Sequence, residues 1–156
     1  MEIKDVMVEH ELISDKYQVR GFADLVIIGE DDRVYVYDIK SMNAWSYRMR
    51  FGRKKSANPS IHQELQVATY GLMLEESLGR IDGMHVIFYN KDNSTIKILD
   101  LGREMLLAAQ SYWEGIRDLH SNGLPSKEEG VSPVMDWECN YCKFKTQCDA
   151  DHMKGE

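Results

Sequence analysis

The sequence predicts an α/β domain, with a mixed central sheet of about five strands and helices packed on it. Runs of alternating apolar and polar residues, typical of strands, occur on both sides of a segment with helical periodicity. The length of 156 residues suits one domain with a core. A composition of 43% hydrophobic and 29% charged residues indicates a globular protein and excludes a disordered one.

Three strands are expected first, at about residues 5–13, 17–28 and 33–40. Glycine and three acidic residues at 29–32 predict a turn between the second and third strands. The following segment, 41–60, is polar, basic and partly aromatic, so we expect a loop that can hold a short helix.

The second half of the chain is expected to add two strands and two helices. From Ser60, a plausible helix cap, apolar residues recur at helical spacing as far as Leu78, and Gly79 is expected to end the helix. The expected order after residue 60 is helix, strand, strand, helix and irregular tail, at residues 60–78, 83–90, 95–100, 103–120 and 122–156. We expect residues 1–136 to form the core and 137–156 a cysteine-rich tail packed on it.

The charge distribution restricts the possible partners. A net charge of −7 and a pI near 5.2 argue against nucleic-acid binding over the whole surface. Residues 41–63, however, contain no acidic residue but contain five basic ones: Arg48, Arg50, Arg53, Lys54 and Lys55. Such a segment can contact a phosphate backbone or be a solvated charged surface, and both readings stay open.

No apolar stretch is long enough to span a membrane. The first residues, MEIKDVMVEHEL, have neither the basic nor the apolar region of a signal peptide. We therefore expect a cytoplasmic protein.

Two aspartates lie within the predicted hairpin, although carboxylates are unfavourable in strands. If Ile28 pairs with Val34, Asp24 lies opposite Asp38, and alternation puts Lys40 on the same face as Asp38. Like charges in that arrangement destabilise a sheet, so a positive group is expected between them.

That positive group can be Lys40, in a surface salt bridge, or a divalent cation. Hard cations such as magnesium take oxygen ligands. Two carboxylates, a backbone carbonyl and a lysine near a bound water suit metal-assisted hydrolysis of a phosphodiester. The salt-bridge reading remains the alternative.

Four motifs together are more specific than any one of them. They are Gly21-x-x-Asp24, Asp38-x-Lys40, Gln66-x-x-x-Tyr70 and Cys139-x-x-Cys142 followed by Cys148. In this order they resemble the RecB-like branch of the PD-(D/E)XK nucleases, with the closest likeness to the CRISPR-associated iron–sulfur exonucleases and their viral relatives. The resemblance covers about residues 5–150.

The resemblance implies a restriction-endonuclease-like core and divalent-metal-dependent hydrolysis of DNA, from ends or on single strands. It implies that Asp24, Asp38 and the Ile39 carbonyl bind Mg²⁺ or Mn²⁺ and that Lys40 is the catalytic lysine. Gln66 and Tyr70 are then expected to contact DNA or brace the active site. DNA repair, recombination and CRISPR adaptation, with a protein partner or an oligomer, are the settings that the family suggests.

The basic segment fits the same interpretation. Arg48, Arg50 and Lys54, with Arg53 and Lys55 nearby, are expected to hold phosphates. An aromatic side chain, Trp45, Tyr47 or Phe51, is expected to stack on an unpaired base.

The three cysteines indicate metal, because their number and clustering do not suit intrachain disulfides. They match three ligands of the family's iron–sulfur cluster, which normally has four thiolates. His152 is a candidate fourth ligand in a Cys₃His zinc site. Alternatively Asp149, Asp151, solvent or a partner chain supplies the fourth ligand of a cluster, or the thiols are unligated.

The sequence departs from this family at its beginning. The relatives start with a helix that carries an active-site histidine and the first of four cysteines, whereas here a predicted strand follows Met1 directly. His10 and Glu11 in that strand are weak substitutes. Two other classes of function therefore remain: an inactive nuclease-like module that binds DNA or protein, and a zinc-stabilised interaction protein.

Overall fold

The computed structural model describes residues 2–52, 61–121 and 140–152, and it confirms the α/β class with a five-stranded mixed sheet. The strands are β1 (Ile3–Ser14), β2 (Val19–Gly29), β3 (Val34–Met42), β4 (Gly83–Asn90) and β5 (Ile96–Leu101). The helices are α1 (Ala44–Phe51), α2 (Ile61–Leu78), α3 (Arg103–Ser121) and α4 (Lys145–His152). Each predicted strand and both long predicted helices are present, with ends displaced by one or two residues for all but one. Ser60 lies outside the described residues.

The strand order in the sheet follows the chain, from β1 to β5. All neighbouring strands are antiparallel except β3 and β4, which are parallel. A parallel connection requires the chain to cross over the sheet. That crossover contains α1 and α2, so the helices that follow Lys40 in sequence are brought back towards the sheet.

Helix α2 is the central helix of the core. Its residues 67–74 are all buried, which indicates that it is covered on every side over two turns. It contacts strands β1 to β4, and Gly71 lies close to Met84 of β4 and Leu106 of α3. The main apolar residues of the core are Val26, Val36, Val67, Met73, Leu74, Val86 and Phe88.

The side chains of β3 and β4 are buried at alternate positions. Val34 and Val36 of β3 and Met84, Val86 and Phe88 of β4 are nearly inaccessible to water. Asp38 continues the β3 series, at a position where the alternation would place another apolar residue. This carboxylate therefore faces the core side of the sheet.

The other face of the sheet carries half-buried aromatic and exposed aliphatic side chains. The His85 ring stacks on Tyr37 with 4.6 Å between ring centroids, and its Nδ1 lies 2.7 Å from Asp100 Oδ1. Ile39 and Ile98 are about half exposed. This alternation between a buried and an open face is typical of an antiparallel sheet.

The residue contacts divide the chain into two compact units, Met1–Ser111 and Tyr112–Glu156, with the division inside α3. The first unit holds the sheet, α1, α2 and the start of α3; the second holds the rest of α3 and α4. The prediction of an irregular tail is wrong for Lys145–His152, which is helical and carries a Lys145–Asp149 ion pair one turn apart. The predicted boundary at residue 137 lies outside the described residues.

Within the described ranges, none of the helices is both long and apolar enough to cross a membrane.

Candidate active site

The β2–β3 hairpin brings the two aspartates together. Ile28 pairs with Val34, as the sequence predicts, and the ladder continues to the pair Leu25–Tyr37. The next pair in this register would be Asp24–Asp38. There a side-chain contact is present: Asp24 Oδ2 accepts a hydrogen bond from the Ile39 backbone N–H at 2.6 Å. Asp24 is therefore fixed against the peptide that follows Asp38.

A distortion in the neighbouring strand lies at the same level. Glu9 of β1 has a φ of +46°, and it falls between the pairs Val8–Leu25 and His10–Ala23, opposite Asp24. The burial pattern of β1 changes phase there, because Val8 is 70% exposed whereas Leu12, an even number of residues later, is buried. The sequence shows no signal for this break in alternation.

Asp38 is almost completely buried, with 1% of its surface accessible. Lys40 Nζ forms an ion pair with Asp38 Oδ2 at 2.8 Å, and the described residues provide no further hydrogen-bond donor to this oxygen. Burial raises the pKa of the Asp38 carboxyl above its ordinary value; the Lys40 ammonium acts in the opposite direction, and the Asp24 carboxylate raises it further. A buried carboxylate beside a second carboxylate is costly unless enough positive charge is close to both.

Lys40 is held by a chain of hydrogen bonds that begins on α2. Lys40 Nζ donates to Gln66 Oε1 at 2.8 Å, and Gln66 Nε2 donates to the Tyr70 hydroxyl at 2.8 Å. Gln66 and Tyr70 are four residues apart and lie on one side of the helix. The two motifs Asp38-x-Lys40 and Gln66-x-x-x-Tyr70 thus meet in a single network.

Tyr70 also explains the glycine of the first motif. A Cβ atom added to Gly21 would lie 2.7 Å from Tyr70 Cε1, which is too close for any real contact. Gly21 therefore allows the tyrosine ring to lie against β2. The motif Gly21-x-x-Asp24 shows where this glycine lies in the sequence, but not that it contacts Tyr70.

The predicted nucleic-acid-binding residues of α1 do not all point outward. Trp45 is 65% exposed and Arg48 is exposed. Tyr47 packs on Phe51 with 5.0 Å between ring centroids. Arg53, Lys54 and Lys55 lie outside the described residues.

Arg50, in contrast, is buried and paired with an acidic side chain. Its side chain is only 8% exposed, its Nη2 donates to Glu64 Oε1 at 2.6 Å, and its guanidinium lies 4.3 Å from the Phe88 ring centroid. Glu64 thus neutralises the charge that was expected to hold a phosphate. This geometry gives Arg50 a role in joining α1 to α2. Its Nη1 is buried without a hydrogen-bond partner among the described residues, and the phosphate contact stays a prediction.

The cysteine motif is described only in part. Cys142 is exposed, and Cys148 is partly exposed; both are free thiols. Cys139 and the side chain of His152 lie outside the described residues. In the described part of the chain, no three His, Cys, Asp or Glu side chains form a group that could hold a metal ion.

The aspartate pair nevertheless fits a hard divalent cation. It offers one buried carboxylate, whose Oδ2 has no partner among the described residues beyond Lys40, and a second carboxylate held beside it by the Ile39 N–H. Mg²⁺ is commonly bound by one or two protein carboxylates and completes its coordination with water. A third acidic side chain is therefore not required for such a site.

The comparisons with known proteins agree with this fold. The family model of the PD-(D/E)XK nuclease superfamily matches residues 2–149, so the chain belongs to that superfamily. Its members typically use Mg²⁺ or Mn²⁺. No curated protein matches the chain.

Two solved structures match most of the chain. A protein named "putative exonuclease", from Eubacterium rectale, has a TM-score of 0.53 and 13% identity, over 90% of this chain and 51% of that one. The protein named SSO0001 has a TM-score of 0.48 and 18% identity, over 92% of this chain and 59% of that one. The chain thus spans between half and three-fifths of the length of these two proteins.

Proposed function

We propose that this nuclease-superfamily domain hydrolyses phosphodiester bonds in DNA with the help of a divalent cation bound at Asp24 and Asp38. The observation that carries the proposal is the buried Asp38 carboxylate, which lies near the Asp24 carboxylate and whose Oδ2 has no partner among the described residues beyond the Lys40 ammonium. One lysine supplies one positive charge for two carboxylates. A pair of carboxylates with an incomplete set of partners is suited to a further positively charged ligand.

In this proposal Asp24 and Asp38 hold the cation, with the Ile39 carbonyl as the third ligand that the family resemblance implies. Mg²⁺ or Mn²⁺ bound there would polarise the phosphate and lower the pKa of a bound water. The Asp24–Ile39 hydrogen bond fixes one carboxylate against the strand that carries the other, so the pair is oriented before any ligand binds.

Lys40 supplies the second positive charge of the site. Its ammonium lies between Asp38 Oδ2 and Gln66 Oε1, both at 2.8 Å, and it is 23% exposed. It can therefore orient the attacking water or stabilise the charge that develops on the phosphate. Gln66 and Tyr70 act through Lys40 by restricting its position.

The finer points of the substrate rest on the resemblance and on α1. DNA with free ends or single strands is the proposed substrate, since Trp45 and Arg48 are exposed on the helix that follows Lys40. The name of the Eubacterium rectale protein is in keeping with a preference for ends. The RecB-like branch, the CRISPR-associated and viral relatives, and a cytoplasmic role in DNA repair, recombination or CRISPR adaptation remain parts of this proposal.

The iron–sulfur cluster or zinc site at Cys139, Cys142 and Cys148 stays a prediction. It would be structural and would stabilise the tail. Absorbance of the anaerobically purified protein and its zinc content would separate a cluster, zinc and free thiols.

A cleavage assay tests the proposed function. End-labelled single- and double-stranded DNA would be incubated with Mg²⁺, Mn²⁺ or EDTA and with the wild type, Asp38→Ala or Asp5→Asn. Asp5 is a matched control, an exposed strand aspartate whose side chain accepts a hydrogen bond from the Val6 N–H. We expect metal-dependent cleavage by the wild type and Asp5→Asn and none by Asp38→Ala.

Absence of cleavage with either metal, by a wild-type protein shown to be folded, would overturn the catalytic reading. The inactive binding module would then be the better interpretation. In that case Asp38→Ala should bind DNA as well as the wild type does, or more tightly, because it has lost a negative charge.

A further inference from the structure

A row of cationic and aromatic side chains lies along α1 and continues onto β5. Trp45 and Arg48 are exposed and three residues apart, and Phe51, which is partly buried, follows Arg48 by three. Residues at this spacing are neighbours on a helix surface, and six residues rise by about 9 Å. Lys97 of β5 extends the row, because its Nζ lies 4.8 Å from the Phe51 ring centroid.

The position of Lys97 is set by the sheet. Lys97 pairs with Phe88 on β4, and Phe88 faces the core side. The Phe51 ring meets Phe88 edge-on with 5.1 Å between ring centroids. The aromatic pair thus supports the end of α1, and Lys97 covers the outer side of the Phe51 ring as a cation–π contact.

Two hydrogen bonds hold the β4–β5 turn against the start of α1. Asp92 Oδ2 accepts from the Ala44 N–H at 2.7 Å, and the Lys91 N–H donates to the Met42 carbonyl at 2.9 Å. Lys97 and Arg48 therefore belong to elements that are joined at one end by the turn and at the other by the aromatic pair. Their relative position does not depend on a long loop.

The charge of this row is not compensated. Among the described residues no carboxylate forms an ion pair with Arg48 or Lys97. Glu64 pairs with Arg50, and Asp92 accepts a hydrogen bond from the Ala44 N–H at the start of α1. In a protein of net charge −7, such a local positive surface stands out from its surroundings. A phosphate backbone is the complementary ligand.

We propose that Trp45, Arg48 and Lys97 form a binding surface for single-stranded nucleic acid, in which the two cations contact phosphates and Trp45 stacks on a base. This proposal rests on the proposed function in one respect, the direction of the bound nucleic-acid strand. That strand would run from this surface towards Lys40, which precedes Trp45 by five residues. An exposed indole favours a strand with unpaired bases over a duplex, since only an unpaired base offers its face for stacking. Lys97 is the new element, because no sequence motif connects it with the site.

The test measures binding without catalysis. Fluorescence anisotropy with labelled oligothymidylate, oligouridylate and a DNA duplex in EDTA would compare the wild type with Lys97→Gln and Lys16→Gln over a range of salt concentrations. Lys16 is a matched control, because it is also an exposed lysine over an aromatic ring, 4.6 Å from the Tyr17 centroid. Thermal melting would confirm that both variants are folded.

We expect Lys97→Gln to weaken single-strand binding by about threefold or more. Its slope of log affinity against log salt should fall by about 0.7 in magnitude, as for the loss of one phosphate contact on a single strand. Lys16→Gln should change neither. Trp45→Ala should reduce single-strand binding more than duplex binding. Comparison of oligothymidylate with oligouridylate would show whether the affinity depends on the sugar.

Equal affinities and slopes for Lys97→Gln and the wild type would overturn the proposal, as would an equal loss for Lys16→Gln. The cleavage assay fails or succeeds independently of this result. A chain that binds strands through Lys97 but cleaves none would retain the surface and refute the nuclease function, whereas cleavage with an unchanged Lys97→Gln would refute only the surface.

Discussion

The β2–β3 hairpin and α1 are consecutive in sequence, and both were expected to carry functional side chains, but they differ in how they place them. In the hairpin, the pairing of Ile28 with Val34 fixes the direction of every later side chain, and Asp38 and Lys40 meet as expected. In α1, Arg48 is exposed while Arg50, two residues later, is buried against Glu64 and Phe88. The register of a strand pair determines on which face of the sheet each later side chain lies. The orientation of side chains on a short helix depends instead on contacts with residues that are far away in sequence.

The largest difference between the two regions should appear on removal of Lys40. The Lys40→Met variant loses the charge next to Asp38 but keeps a long side chain, and we expect cleavage to slow by about 10²–10³-fold. Single-turnover rates with saturating DNA would measure this. Lys16→Met, the same change at an exposed lysine remote in sequence, is the control, and a Lys40→Met rate close to that of wild type would show that the charge does not act on the reaction.

The two arginines of α1 should separate stability from binding. We expect Arg50→Ala to lower the free energy of unfolding by about 2–3 kcal/mol, somewhat less than for a fully buried pair, because Glu64 keeps partial contact with water. Arg48→Ala should leave stability unchanged and weaken DNA binding. Urea denaturation and fluorescence anisotropy would measure the two effects.

This comparison would be broken by the opposite pattern. If Arg50→Ala were as stable as the wild type and lost DNA affinity, Arg50 would be the phosphate contact that the sequence predicted. Its pairing with Glu64 would then have to open when DNA binds.

A smaller effect is expected at Gly21, on the hairpin side. In Gly21→Ala the new methyl group would overlap the Tyr70 ring, so the ring or the strand must move, at a cost of about 1–3 kcal/mol. Gly115→Ala is the matched control, since a Cβ there meets nothing within 4 Å in helix α3, and it should stabilise the protein by about 0.5–1 kcal/mol. Equal stability of Gly21→Ala and the wild type would mean that Tyr70 is not held at this contact.

Much of the fold could be predicted from the sequence because its patterns are local. The β4 strand, Gly83–Asn90, was predicted with its observed bounds, since its buried residues alternate strictly. The helix Ile61–Leu78 ends before Gly79, which has a φ of +80°, a conformation that glycine adopts without strain. In both cases the residues that predict the element lie within it or directly next to it.

The rest of the site depends on contacts between distant segments. The Glu9 distortion opposite Asp24, the Tyr70 ring against Gly21 and Lys97 over Phe51 each join residues 15 or more positions apart, and no local pattern marks them. The burial of Arg50 has the same cause, because Glu64 and Phe88 lie on other elements. The family motifs identified Gln66 and Tyr70, but only the structure connects them to Lys40 through hydrogen bonds.

The pKa of Asp38 gives a stability effect whose sign can be worked out. Burial raises this pKa in the folded state, so the folded protein binds the proton more tightly than the unfolded chain does. Stability without metal should therefore fall as pH rises through the range from the ordinary aspartate pKa to the raised one. Above that range Asp38→Asn should melt at a higher temperature than the wild type in EDTA.

The central claim, that Asp24 and Asp38 hold a divalent cation, is tested most directly by thermal melting of the wild type and Asp38→Asn at neutral pH, in EDTA and with increasing Mn²⁺. An ion that binds the folded state but not the unfolded one stabilises the fold by RT ln(1 + c/Kd), where c is the free ion concentration, so the melting temperature should keep rising with the free Mn²⁺ concentration. We predict that Mn²⁺ raises the melting temperature of the wild type and of Asp5→Asn but not that of Asp38→Asn, which starts higher in EDTA. The same Mn²⁺ shift in Asp38→Asn as in the wild type would contradict the claim.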